Sequence, residues 1–174
     1  MATDDLPGVL AVQRSAYGDA YQESAAVLGA KLSLAAGASW LAEAGDGVLG
    51  YVFAHGWVAT PPPLHVALDA VPAGERVGFL HDLAVLPQGR GGGVAARLFE
   101  RVVAWAQAEG LTRLTLVALA DAQAYWRRKG FVPLAPADGA VLPAAYGKGA
   151  IFMAFDLAAV DSPLAACVSN ADLA

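Results

Sequence analysis

The sequence predicts one mixed α/β domain whose sheet carries helices on both faces, and three observations carry that prediction. Helical and strand periodicities alternate along the chain, a glycine-rich turn joins an apolar strand to a helix, and 174 residues supply one ordinary core. Residues 1–157 are assigned to the domain. Residues 158–174, which have no clear period, are read as a loose C-terminal tail.

Between Asp4 and Gly37, first Leu6, Val9, Leu10 and Tyr17 and then Ala25, Leu28, Leu32 and Ala35 recur at helical spacing, which predicts two helices capped by Asp4 and Ser24. Ser39–Ala44 and Val48–Val58, rich in Trp, Val, Tyr and Phe, flank the turn sequence Gly45, Asp46, Gly47 and read as a hairpin. Ala59–Glu75 and Pro136–Lys148 read as irregular. Arg76–Leu86 reads as a third strand. Simple alternation puts Phe79, His81, Leu83 and Val85 on one face and Leu80, Asp82, Ala84 and Leu86 on the other; both are mostly apolar, so the strand should be central. A helix follows from about Gly92 to Glu109 with Val94, Leu98, Val102 and Trp105 as its buried stripe, ended by Gly110. Leu111–Leu119 is a strand, Asp121 caps a short helix to Lys129, and Phe131–Leu134 and Gly149–Leu157 complete the sheet.

Composition excludes several functions. Sixteen acidic against eleven Lys and Arg residues give a net charge of −5, so no basic field is present for nucleic acid or an anionic membrane. With 57% apolar and 16% charged residues the chain is too hydrophobic for disorder over most of its length. No stretch reaches the roughly 18 to 20 uncharged apolar residues of a spanning helix. Met1–Leu6 holds two aspartates and no basic segment, which argues against a secretory signal, and the sole cysteine, Cys167, cannot form an internal disulfide. The expected location is the cytoplasm.

The most informative segment is Leu83–Ala96, LAVLPQGRGGGVAA, where an apolar strand runs through four glycines into a helix. Glycines permit positive φ and let successive N–H groups point into one concavity, to which the helix N-terminus adds about half a positive charge. Such a turn suits a pyrophosphate, and Arg90 adds a fixed cation. A phosphate-binding P-loop would need Gly-Lys-Ser or Gly-Lys-Thr, and here Val94 and Ala95 follow Gly93. Gly91, Gly93 and Ala96 satisfy the dinucleotide pattern G-x-G-x-x-A, but Pro87 separates strand from glycines and too few strand–helix units follow.

The segment Gln88–Gly93 resembles the Q/R-x-x-G-x-G/A signature of the GNAT superfamily of acyl-CoA-dependent N-acyltransferases. A second family element, a helix ending in an aromatic followed by Gly-Phe, is matched by AYWRRKGF at Ala124–Phe131, in the correct order and at a fitting distance. The resemblance spans about Leu6–Leu157. It implies a single, mainly antiparallel mixed sheet lacking the family's usual first strand, and acetyl-CoA or another short acyl-CoA as co-substrate, with no metal. By that resemblance Gln88, Gly89, Arg90, Gly91, Gly92 and Gly93, with Val94 and Ala95, hold the pyrophosphate through backbone N–H groups. Leu83 and Val85 pair with the pantetheine arm where the sheet splays, and one of their N–H groups polarises the thioester carbonyl.

Transfer to an amine needs a neutral nucleophile, and an alkyl ammonium with a pKa near 10.4 is only about one part in a few thousand neutral at pH 7. A base, direct or through water, is required. His81 is the candidate, on the face shared with Leu83 and Val85; His81–Val85 is similar to the H-x-L-A-V strand of arylalkylamine N-acetyltransferases, whose matching His is implicated as base. The alternative is a buried histidine hydrogen-bonded within the sheet. Asp82, on the other face, is read as structural. The family's acid is a Tyr four residues before the Gly of Gly-Phe, where this chain has Trp126; Tyr125 stands one place earlier, about 100° round the helix. Trp126 is expected to pack beside the thioester and Tyr125 to contact cofactor or core. A thiol with a pKa near 8.5 leaves as thiolate at pH 7 for only about 2 kcal/mol, so a missing acid need not abolish turnover.

His55 and His65 lack ligand spacing for a metal, Trp40 and Trp57 suit the core, and Pro61–Pro63 with Leu64 suit a stiff wall for an acceptor pocket. The expected activity is transfer of an acetyl group from acetyl-CoA to a primary amine, of a small molecule or a peptide, by direct attack. A non-catalytic acyl-CoA sensor is the competing class and a nucleotide-binding protein the third. Apolar edge strands suit a homodimer.

Overall fold

The computed structural model of the chain describes residues 1–35, 37–45, 47–135 and 142–159. Two helices, α1 (Leu6–Tyr17) and α2 (Ala25–Leu34), precede the hairpin β1 (Ser39–Ala44) and β2 (Gly47–Trp57), and β3 (Val77–Val85) leads through the glycine turn into α3 (Val94–Ala108). The strand β4 (Arg113–Ala118), helix α4 (Gln123–Arg128) and strands β5 (Val132–Pro133) and β6 (Ile151–Asp156) follow. The sheet order is β1-β2-β3-β4-β6-β5, and among these described strands only β3 and β4 run parallel. This is the mixed, mainly antiparallel sheet expected, and two helices precede its first described strand.

Helices cover both faces because their apolar stripes have different partners. Leu6, Val9 and Val12 of α1 and Leu28 of α2 pack on Tyr51, Phe53 and Ala84, while Leu98, Phe99, Val102 and Ala106 of α3 pack on Val52, Ala54, Leu80, Leu114 and Leu116. Each such large apolar side chain contributes about 1.5–3 kcal/mol by leaving water. Ser24 caps α2, its hydroxyl accepting the Val27 N–H at 3.2 Å. Asp4 caps nothing: a 3₁₀ turn over Thr3–Asp5 precedes α1, and the neighbouring Asp5 carboxylate accepts the Ala2 N–H instead. Asp121 does not cap α4 either, because Ala122 occupies that position. Ala59–Glu75 forms no regular element, and part of Pro136–Lys148 lies outside the described residues. Leu157, in a short 3₁₀ turn, is buried and donates to the Thr112 carbonyl, which closes the domain; the tail beyond 159, with Cys167, lies outside the described residues.

β3 departs from simple alternation. Its register with β2 pairs Phe53 with Asp82 but Ala54 with Leu80, so His81 is an extra residue, a β-bulge. A bulge puts two successive side chains on one side of the sheet. His81 therefore stands on the α1–α2 side with Phe79, Asp82 and Ala84, while Leu80, Leu83 and Val85 face α3. The expectation that His81 shares a face with Leu83 and Val85, opposite Asp82, is corrected: the two apolar faces of β3 hid the extra residue.

β3 and β4 pair only through Gly78 with Leu114 and Phe79 with Thr115. Beyond Phe79 they diverge, and the sheet opens into a cleft. Among the described residues no helix is long and apolar enough to cross a membrane.

Candidate functional site

The cleft between the diverging strands has a volume of about 690 Å³, and its mouth is the turn between β3 and α3. Pro87–Gly89 makes a 3₁₀ turn, after which Gly91 and Gly93 take φ of +80° and +76°, values that disfavour any side chain. Among the described residues a Cβ on Gly91 would meet no protein atom within 4 Å, and one on Gly93 only the Arg97 side chain at 3.9 Å. Space has been left open over the N-terminus of a fifteen-residue helix, which fits a phosphate group approaching the backbone. Gly89 instead permits close packing: it is buried, and a Cβ there would stand 2.9 Å from Val85. Gly89, Arg90, Gly91, Gly93, Val94 and Ala95 line the cleft, whereas Gln88 and Gly92 do not.

Along the cleft wall the free edge of β3 is available. The Leu86 N–H bonds to Leu49 of β2, so by alternation the main-chain groups of Leu83 and Val85 point away from β2, where β4 has already diverged. Their carbonyls are held, Leu83 accepting from the Tyr17 hydroxyl at 2.8 Å and Val85 from Arg90 Nε at 3.3 Å. Among the described residues no strand lies opposite their N–H groups, which face the cleft. An extended amide-bearing tether such as pantetheine fits this edge as an added strand would.

Across the cleft α4 presents Tyr125 and Trp126. Trp126 is buried, edge-on to Phe99 at 5.9 Å and Phe131 at 5.3 Å, which fixes its ring as a wall. The Tyr125 hydroxyl is buried without a protein partner among the described residues, and burial raises its pKa, so the phenol stays protonated at neutral pH.

Beyond the tether edge lies a buried ionic cluster that sequence reading missed. Glu23, between α1 and α2, accepts from the Lys31 ammonium at 2.5 and 2.6 Å and from the His65 backbone N–H at 3.0 Å. Lys31 Nζ is also 2.5 Å from His81 Nε2, and His81 Nε2 is 3.6 Å from Glu23. Side-chain exposure is 0% for Lys31, 2% for Glu23 and 1% for His81. Burial pushes the Glu23 carboxyl up, but His81 and Lys31 outweigh it and hold the group at about 2. Burial pushes His81 down, the Glu23 carboxylate beside it opposes this, and the Lys31 charge pushes the same way as burial, so its imidazole is neutral at pH 7. A neutral ring accepting from Lys31 at Nε2 carries its proton on Nδ1, which has no partner among the described residues.

Asp82 belongs to the same region. Gln13 Nε2 donates to it at 3.0 Å, the Tyr51 hydroxyl also donates, and Gln13 Oε1 accepts the Glu23 N–H at 2.9 Å. Burial pushes the Asp82 carboxyl up while these hydrogen bonds oppose the rise. The bulge is what brings His81 and Asp82 to one side. A sequence signal existed for Lys31, which sits three residues after Leu28 on the buried stripe of α2; none existed for Glu23, which lies outside both helices.

The fold is shared widely. Ard1 from Thermoplasma volcanium superposes with a TM-score of 0.68 at 14% identity, covering 90% of this chain and 93% of that one. The loading GNATL domain of CurA from Lyngbya majuscula gives 0.69 at 14% identity over 92% and 96%. The GphF GNAT-like decarboxylase in complex with isobutyryl-CoA gives 0.67 at 16% identity over 90% and 97%. No curated protein matches the chain. The sequence pattern described as Acetyltransferase (GNAT) family matches residues 6–131, a span that begins with α1 and ends at the Phe131 of Gly-Phe. With the splayed sheet and the glycine cradle inside that span, the chain belongs to the GNAT acetyltransferase family.

Proposed function

We propose that this protein transfers an acetyl group from acetyl-CoA to the nitrogen of a primary amine by direct attack, without a covalent enzyme intermediate. The observation that carries the reading is the divergence of β3 from β4 beyond Phe79, with an open glycine cradle at its mouth and unpaired N–H groups along its wall. The thioester supplies an activated acyl carbon. The Leu83 and Val85 N–H groups orient the tether and polarise the carbonyl; Gly91, Gly93, Val94 and Ala95 hold the pyrophosphate beside Arg90. As the C–N bond forms and the C–S bond breaks, the amine proton passes, directly or through water, to the Nε2 lone pair of neutral His81, which Lys31 gives up as the proton arrives, and sulfur leaves as thiolate. Trp126 walls the reacting end, and the Tyr125 hydroxyl faces the coenzyme.

The test is CoA thiol release with acetyl-, propionyl- and isobutyryl-CoA, which also ranks the acyl group. His81→Ala is expected to leave acetyl-CoA affinity nearly intact and to lower turnover at neutral pH by about 10-fold or more, the scale of losing a general base. Unchanged turnover removes His81 from the mechanism. A second reading, a non-catalytic acyl-CoA sensor, is favoured by buried Trp126 at the position of the family's acid; tight acetyl-CoA binding with no thiol release from any amine selects it.

A further inference from the structure

The Lys31 ammonium is set among three acceptors. It stands 2.5 and 2.6 Å from the two Glu23 oxygens and 2.5 Å from His81 Nε2, and among the described residues it is the one buried lysine or arginine. An ammonium has three hydrogens and no lone pair, so each contact takes one N–H. The same geometry places the histidine proton. A hydrogen on Nε2 would point straight at the ammonium, donor against donor and like charge against like, so Nε2 is the acceptor. The cluster is one cation, one carboxylate and one neutral ring.

A carboxylate that is only 2% exposed needs a counter-charge, and two groups stand close enough to give it. Lys31 is in hydrogen-bond contact, and His81 Nε2 comes next at 3.6 Å. Among the described residues the other titratable groups facing His81 do not compete. His55 of β2, its ring 5.7 Å from that of His81, is held at about 3 and is neutral. Asp82 of β3 accepts from Gln13 of α1 and Tyr51 of β2, and burial raises the phenols of Tyr17, Tyr51 and Tyr146, which stay protonated. Without the ammonium, Glu23 would draw a proton onto His81, and the base would be occupied before an amine arrived.

Resting on the acetyltransferase reading, we infer that Lys31 is a positioning residue for acyl transfer: its ammonium is the counter-charge of buried Glu23 and keeps His81 Nε2 free of a proton until the amine delivers one. When the amine N–H bond breaks and the Nε2–H bond forms, Lys31 keeps its three hydrogens and both Glu23 contacts. The ring is then an imidazolium beside an ammonium. That repulsion sends the proton on, to the leaving thiolate or to solvent, and the neutral base returns.

NMR spectra of the full chain with isotope-labelled histidine rings read this proton without turnover, His81 being assigned by its loss in His81→Ala. The wild-type ring is expected to carry one proton at pH 7, on Nδ1. Lys31→Met is expected to raise the midpoint of the His81 titration by about one to three pH units, the scale of gaining an opposite charge as sole partner. In that variant kcat/KM for acetyl-CoA-dependent thiol release with ethylamine, whose own ionisation cancels in the ratio to wild type, falls about 10-fold at pH 7 and recovers as pH rises. Lys31→Met/Glu23→Gln removes both charges and is expected to return the midpoint and the pH 7 rate toward wild type, a rescue that a lysine needed only for packing would not allow. A second proton on the wild-type ring at pH 7 overturns the inference even where Lys31→Met does not fold. So does an unmoved midpoint, a loss of rate equal at every pH, or a double variant as impaired as the single one. No thiol release by the wild type from ethylamine or any other amine overturns the transferase reading beneath it, while the ring titration still reports which group neutralises Glu23.

Discussion

At Gly91 and Gly93 two constraints coincide, a positive φ and empty space facing the cleft. A valine at either site carries about 1–2 kcal/mol of left-handed strain and also places a branched side chain where a phosphate oxygen would sit. Gly91→Val and Gly93→Val are therefore expected to weaken acetyl-CoA binding by about 10-fold or more, read by calorimetry, whereas Gln88→Ala, at an exposed position outside the cleft lining, costs much less. Equal affinities in the three variants would remove the turn from the coenzyme site. These glycines could be read from the sequence because their chemistry is local: a strand, a turn and a helix start are adjacent in the chain. The convergence of Glu23, Lys31 and His81 could not, because it depends on how α2 lies across β3.

The element that decides the site is β3. Its pairing with β4 is confined to two residue pairs, and Gly78 is in one of them. A Cβ on Gly78 would stand 2.6 Å from Leu114 Cδ2 and 3.3 Å from the Trp105 ring, so the absence of a side chain lets β4 approach under α3 before the strands part. Gly78→Val is expected to destabilise the domain by about 1–3 kcal/mol or more through overpacking, measured by urea unfolding. The same variant should lose acetyl-CoA affinity, since the point of divergence moves; stability and affinity both at wild-type level would contradict this account of the splay. The existence of β3 was legible from its apolar run, yet alternation failed at His81. A strand apolar on both faces gives no polar marker of the extra residue, and the bulge is set by the register with β2 rather than by β3 alone.

For the whole molecule, the buried titratable groups couple the fold to pH. His55 packs between Trp57, Phe79 and His81, its Nδ1 3.1 Å from the Gly56 carbonyl and its Nε2 without a partner among the described residues. Burial, then the charge of His81, holds it at about 3. Between that value and the ordinary 6.5 the unfolded chain binds a proton that the folded chain refuses, so the stability from neutral His55 is complete above pH 6.5 and is lost as pH falls toward 3. His81 is pushed down by burial and acts in the same direction; Glu23, held at about 2, adds its loss below its ordinary 4.5. Asp82, raised by burial from 3.8, works oppositely, because its contribution is present below that value and is lost as pH rises. Two histidines and one glutamate against one aspartate leave a domain whose unfolding free energy declines in mild acid. His55→Phe keeps the aromatic packing and removes one proton from this balance. The slope of unfolding free energy against pH between about 4 and 6 is expected to fall by about 1.4 kcal/mol per pH unit, one proton's worth. Urea unfolding of both proteins at half-unit pH intervals measures it, and parallel slopes would show that His55 is protonated in the folded state.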